Sequence, residues 1–146
     1  MDKRIIQFIT KQTCATVCCI DQTGKPYCFS VFYAFDADRG LLFYKSANNT
    51  KHSPLLSINP VVAGTILPDK LNLLQIKGVQ FEGTVLAFDD PLTLNASCHY
   101  YNKHSLARTM PGEIWTIQIT NLKFTDNTLG FGSKTIWLKG ELQNKN

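Results

Sequence analysis

Residues 41–60 read LLFYKSANNTKHSPLLSINP. Leu41 to Tyr44 form an apolar run of strand length, and the segment from Ala47 to Ser53 is too rich in Asn, Ser and Thr to continue it. A strand therefore ends near Ser46, and a polar turn leads into a short helix. Lys45, Lys51 and His52 bring positive charge to the turn, and Ser46 and Thr50 bring hydroxyls. No acidic residue lies between Asp38 and Asp69 to neutralise them. Backbone N–H groups at a helix start are unsatisfied donors with partial positive charge, so the stretch has the donor set of a phosphate clamp. Each charge-assisted hydrogen bond is worth about 1.5–3 kcal/mol, and three or four of them would hold a phosphate monoester. A merely solvated polar turn has the same spacing, and spacing alone does not separate the two readings. Proline disfavours a helical residue before it and is most at home at the first helical position, so the helix is expected to begin at Pro54.

Ahead of this stretch, Asp2 to Gln12 places Ile5, Phe8 and Ile9 at helical spacing, as in an amphipathic lid. Cys14 to Ile20 reads as a strand, Asp21 to Gly24 as a turn, and Lys25 to Phe35 as a strand that alternates through Tyr27, Phe29, Val31, Tyr33 and Phe35. Asp36 to Gly40 turns the chain into the strand at Leu41, which makes an antiparallel meander. After the clamp, Val61 to Leu67 is a buried-strand run and Leu73 to Phe88 a long strand-like segment. Gly78 and Gly83 mark bulges or bends of the kind that close a small barrel. Asp90-Pro91 opens a helix expected to run to about Asn102, and Glu113 to Phe124 is a last long strand with Trp115, Ile117 and Ile119 on one face. A Gly-rich turn from Leu129 to Lys134 precedes Ile136, Trp137 and Leu138. The expected fold is mainly β, a six-stranded antiparallel barrel with a few short helices, forming one domain over residues 1–146.

The chain has 146 residues, 44% hydrophobic and 11% aromatic, enough for a sizeable core. No apolar run approaches the roughly 20 residues of a membrane span. The start MDKRIIQFITK lacks the apolar core of a signal peptide, so a cytoplasmic location is expected. The five cysteines form neither a CxxC pair nor a zinc spacing and read as reduced, with Cys14 and Cys18 as small buried hydrophobes. The net charge of +4 comes from lysines scattered rather than striped, which argues little for nucleic acid. His99 and His104 have no acid or nucleophile at a telling spacing and are expected at the surface. No GxSxG, HExxH or P-loop pattern occurs.

The clamp resembles the flavin-binding segment of the pyridoxamine 5'-phosphate oxidase-like split β-barrel family. In that segment an aromatic-rich strand enters a turn and a helix ending in Asn-Pro, here Asn59-Pro60. Counted back from that ending, Thr50, Lys51 and His52 fall where family members carry Ser-Arg-Lys on the phosphate of FMN, and Ser46 falls on a further hydroxyl contact. Gly24-Lys25-Pro26-Tyr27, the strand to Phe35, Gly78-Val79-Gln80-Phe81-Glu82-Gly83 and the tail from Gly132 to Trp137 are similar to the family's small bacterial members. The resemblance implies a homodimer with FMN across its interface. It implies ring contacts from Ser30, Val31 and Phe32, a contact from Gln80, and closure of the site by Lys134 and Trp137 of the second copy. Read without the resemblance, Gln80 is a polar strand residue and Trp137 a core residue.

Two departures qualify what the resemblance implies. The oxidases carry an Arg-Leu-His-Asp-Arg type of motif where this chain has Asn121-Leu122-Lys123-Phe124-Thr125-Asp126, so the vitamin B6 substrate site is missing. Cys28 and Tyr33 stand where the oxidases have basic residues. The leading expectation is an FMN-dependent oxidoreductase acting on a small molecule of unassigned structure, with a nicotinamide donor as one candidate. The alternatives are a flavin- or haem-binding carrier and a small barrel for single-stranded nucleic acid.

Overall fold

The computed structural model describes residues 1–129 and 133–140. Gly130, Phe131 and Gly132 of the expected Gly-rich turn lie outside the described residues. Seven strands form one antiparallel sheet: β1 (Cys14–Ile20), β2 (Pro26–Asp36), β3 (Leu41–Ser46), β4 (Val61–Ile66), β5 (Lys77–Val85), β6 (Glu113–Asp126) and β7 (Lys134–Leu138). Their order is β3-β2-β1-β4-β5-β6-β7, and an added β3–β6 pairing closes the first six into a barrel. The first half of β6 pairs with β3, from Glu113↔Ser46 to Gln118↔Leu41, and the second half carries β7.

The period of two along each strand decides what fills the barrel. On β1 the odd residues Ala15, Val17 and Cys19 point inward, with Cys19 fully buried. This reverses the expectation for Cys14 and Cys18, which belong to the outer set; Cys14 is exposed and Cys18 half-buried. On β2 the inward residues include Val31 and Tyr33. On β6 Trp115, Ile117 and Ile119 point inward as expected, but beyond them the buried set becomes Leu122, Phe124 and Asp126. The change of parity comes from a bulge: Gly83 pairs with Ile119 and Glu82 with Asn121, leaving Thr120 as the extra residue. A Cβ at Gly83 would stand 2.6 Å from the Gln118 carbonyl oxygen, so only glycine lets the strands approach this closely.

Three helices attach to this frame: α1 (Lys3–Lys11), α2 (His52–Ile58) and α3 (Ala96–Lys103). Helix α1 closes one barrel end with Ile5, Phe8 and Ile9, and the Tyr33 hydroxyl donates to the Ile9 carbonyl at 2.6 Å. Helix α2 begins at His52, two residues ahead of expectation. Pro54 is its third residue, where a missing N–H removes no helical bond, because the first-turn donors have no partner inside the helix. The helix expected from Asp90 is broken. Asp90 caps a single 3-10 turn at Pro91–Thr93, and Asn95, with φ of +68°, separates that turn from α3. The strand expected from Leu73 begins only at Lys77, because β4 ends at Ile66, which already pairs with Val79. Leu73 and Leu74, each 92% exposed, have no β4 residue left to pair with.

Helix α3 covers the outer face of β2 and β3 through a small second core of Ala34, Leu41, Phe43, Ala96 and Tyr100. Among the described residues no helix covers the outer face of β1, β4 and β5 in this way. Gly83→Ala is expected to destabilise the protein by about 1–3 kcal/mol, the range for forced overpacking. The urea unfolding midpoint measures this, and an unchanged midpoint would contradict the bulge contact.

Candidate functional site

The strand β2 has eleven residues and β3 only six, and their pairing covers only Tyr33–Asp36 with Leu41–Tyr44. Residues 26–32 of β2 therefore have a strand partner on the β1 side alone. The Tyr33 N–H donates to the Thr13 carbonyl at 3.1 Å, so it faces β1. Backbone groups alternate along a strand, and the N–H groups of Phe32 and Ser30 point the other way, beyond Tyr44, the last β3 residue paired with β2. Their side chains are exposed on the outer face, Phe32 to 63%, whereas the Val31 side chain is buried in the core and reaches the edge only through its backbone.

The clamp loop lies against this edge. The His52 ring stacks on Phe29 with centroids 3.8 Å apart and planes 6° from parallel, and the Lys51 ammonium sits 4.6 Å from the Tyr27 ring centroid. Nε2 of His52 is 2.8 Å from the Ser46 hydroxyl and 3.0 Å from that of Thr50, and the Thr50 hydroxyl is also 2.7 Å from that of Ser53. Burial pushes the His52 pKa below its usual value, so the ring is a neutral hydrogen-bonding strut and not the cation expected from sequence. Lys45 also departs from that expectation. Its ammonium donates to the Tyr101 hydroxyl at 2.8 Å and to the carbonyls of Ala107 and Met110 at 2.7 and 2.6 Å, which occupies all three of its donors. Lys51 is thus the cation the loop presents to solvent, beside two hydroxyls.

A groove of about 500 Å³ crosses the uncovered outer face. The pairing register aligns one polar row across it, Ser30↔Thr16↔Thr65↔Gln80↔Lys123. Gln80 faces the groove and shares its face with Ser30, but three strand spacings, about 14 Å, separate the two. Trp137 of β7 pairs with Leu122 of β6 and approaches Gly40, where a Cβ would lie 3.2 Å from its ring. Gly40 precedes the start of β3 and the clamp follows its end, so Trp137 lies at the opposite barrel end from its own chain's clamp. Lys134 is exposed at the start of the same strand.

The remaining histidines serve the framework. His99 is exposed beside Asp36 and Arg39, as expected for a surface residue, whereas Nε2 of the half-buried His104 lies 2.8 Å from the Tyr33 carbonyl oxygen. Among the described residues no cluster of His, Cys, Asp and Glu has the arrangement of a metal site. No described helix is long and apolar enough to cross a membrane.

No protein-family model matches the chain. It is 34% identical over 136 residues to the UPF0306 protein YhbP of Escherichia coli O139:H28, an alignment covering 93% of this chain and 92% of that protein. A heme binding protein from Mycobacterium smegmatis superposes with a TM-score of 0.74 at 13% identity, covering 90% of this chain and 55% of the other, so the chain spans about half of that protein. A FAD-binding protein from Mesorhizobium loti gives a TM-score of 0.62 at 16% identity, covering 84% and 92%. At these identities the likeness to the two solved structures is one of fold.

The neutral His52 has a consequence for stability. A base whose folded pKa lies below its unfolded value contributes stability that is full above the unfolded value of 6.5 and is lost as pH falls through the folded one. Unfolding free energy should therefore drop as pH falls below about 7, and more steeply than in His52→Gln, which titrates nothing there. Parallel curves for the two proteins would contradict the assignment.

Proposed function

We propose that this chain, which belongs to the UPF0306 family, is a flavoprotein that holds FMN between the clamp loop and the open edge of β2, in a homodimer. The observation that carries the reading is this juxtaposition. A turn offering one ammonium and two hydroxyls stands beside a strand edge whose Ser30 and Phe32 N–H groups point beyond Tyr44, the last β3 residue paired with β2. That donor set suits a phosphate monoester joined to a flat heterocycle with hydrogen-bond acceptors along one side. When bound, a flavin supplies hydride or electron transfer, and the protein supplies anchoring and orientation.

In this arrangement Lys51 and the hydroxyls of Thr50 and Ser46 take the phosphate, while neutral His52 orients the two hydroxyls. Lys45 braces the strand end against Tyr101. Ser30 and Phe32 face the ring with their backbone, and Val31 keeps that backbone seated in the core. Lys134 and Trp137 reach the ring from the second copy, whereas Gln80 stands too far along its row to meet the ring held by its own chain.

Flavin is favoured over haem because each histidine Nε2 is engaged, with Ser46 and Thr50, with Tyr33, or beside Asp36 and Arg39. The exposed His99 lies beside Asp36, at the far end of β2 from its open edge. The role is that of an oxidoreductase for a small molecule outside vitamin B6 chemistry. Asn121 to Asp126, where the oxidase motif would stand, is strand paired to β5, and its first five residues are paired to β7 as well.

Thr50→Ala combined with Lys51→Ala should weaken FMN binding by roughly 10- to 100-fold, the worth of one or two charge-assisted hydrogen bonds, and leave riboflavin binding nearly unchanged. Fluorescence titration of both ligands reads this directly. Equal losses for the two would remove the phosphate assignment.

A further inference from the structure

Cys18 and Cys28 stand directly opposite each other in the β1–β2 hairpin. The register is uninterrupted from Cys14↔Phe32 to Ile20↔Pro26, and backbone bonds beyond both its ends fix which pairs carry hydrogen bonds. The Tyr33 N–H donates to the Thr13 carbonyl at 3.1 Å, and the Asp21 N–H to the Lys25 carbonyl at 2.9 Å. Bonded and non-bonded pairs alternate in an antiparallel ladder, so the odd-numbered pairs of this hairpin are bonded and Cys18↔Cys28 is not. In such a pair the Cα atoms are about 4.5 Å apart, with both side chains on one face. That separation is at the short end of the roughly 4.4–6.8 Å a disulfide spans.

The two thiols are also accessible. Cys28 is exposed, Cys18 is half-buried, and both line the outer groove. Cys19 points into the core, and Cys14 faces Phe32 across the ladder. The Cys18 thiol points its proton at the Cys19 carbonyl, at 3.9 Å, and the neighbouring Cys28 thiol together with partial burial pushes its pKa up to about 11. Cys18 therefore stays protonated at neutral pH, and the exposed Cys28 meets an incoming reagent first.

We propose that Cys18 and Cys28 form a redox-active dithiol that reacts with small-molecule disulfides of the glutathione class. Cys28, losing its proton to solvent, attacks one sulfur of the disulfide; the S–S bond breaks and one thiolate leaves. Cys18 then loses its proton to solvent and attacks the Cys28 sulfur, displacing the second thiolate. The two leaving groups take up the two protons. Two protein thiols are oxidised to one disulfide while one small disulfide is reduced to two thiols. The product is compressed between paired strands, which makes it easier to reduce than a structural disulfide, so the exchange runs in both directions.

This inference does not rest on the flavin reading, and its test uses the full chain with no flavin added. The protein is incubated with oxidised glutathione, acid-quenched and alkylated, and its mass is measured. Cleavage before Asp21 then places the two cysteines on separate peptides. The expected result is loss of the mass of two hydrogen atoms and a linked Cys18–Cys28 peptide pair, both reversed by reduced glutathione. Cys18→Ser should halt at a stable glutathione adduct on Cys28, and Cys28→Ser should lose the linkage. The proposal is overturned by a persistent glutathione adduct on Cys28 of the unsubstituted chain, by reaction at Cys14 or Cys98 with this pair untouched, or by a covalent link between two chains.

Discussion

The site depends on the mismatch in length between β2 and β3. To close the barrel, β3 spends all six of its residues on β6, from Leu41↔Gln118 to Ser46↔Glu113, and the chain must then leave the sheet. It meets β2 over only four residues on its other side. The rest of β2 is held by β1 alone, which leaves a strand edge inside an otherwise continuous barrel. An unpaired edge is a row of donors and acceptors that something must satisfy. Here the chain leaving β3 folds back beside it as the clamp loop. The bulge at Gly83 and Thr120 acts on the same closure from the other side, letting one strand serve β3 with its first half and β7 with its second.

Around that edge the charges are arranged economically. Of the three basic residues the stretch contributes, Lys45 is committed to the segment after α3 and His52 is neutral in a stack on Phe29. Lys51 alone stays available, over Tyr27. Burial disfavours the charged form at His52 and three acceptors satisfy the Lys45 ammonium, whereas the Lys51 ammonium beside two pre-oriented hydroxyls keeps its attraction for an anion. The opposite outer face, covered by α3, is packed into the second small core.

Much of this was legible in the sequence. The period-two runs and turn residues gave β1 to β4, the bulge at Gly83 and the inward face of β6 as far as Ile119. At Leu73, Leu74 and Lys45 the departures share one cause: partners distant in the chain decide what local pattern cannot. Leu73 and Leu74 alternate as a strand should, but β4 is too short to reach them. Asp90-Pro91 is a sound helix start, yet a left-handed Asn95 interrupts the helix. Lys45 looked like a phosphate ligand because Tyr101, Ala107 and Met110, which take its donors, lie more than fifty residues away. The cysteine pair is a different case. The turn at Asp21 to Lys25 sets the register that places Cys18 opposite Cys28, so that signal lay in the sequence. CxxC and zinc spacings do not contain this pair, which is brought together only across the hairpin.

The account is tested most directly by amide hydrogen exchange along β2 with and without FMN. Exchange at the N–H groups of Ser30 and Phe32 should slow on FMN addition, while Phe29 and Val31, bonded into the β1 ladder, should change little. FMN binding that leaves Ser30 and Phe32 unchanged, with protection appearing elsewhere on the barrel, would contradict it.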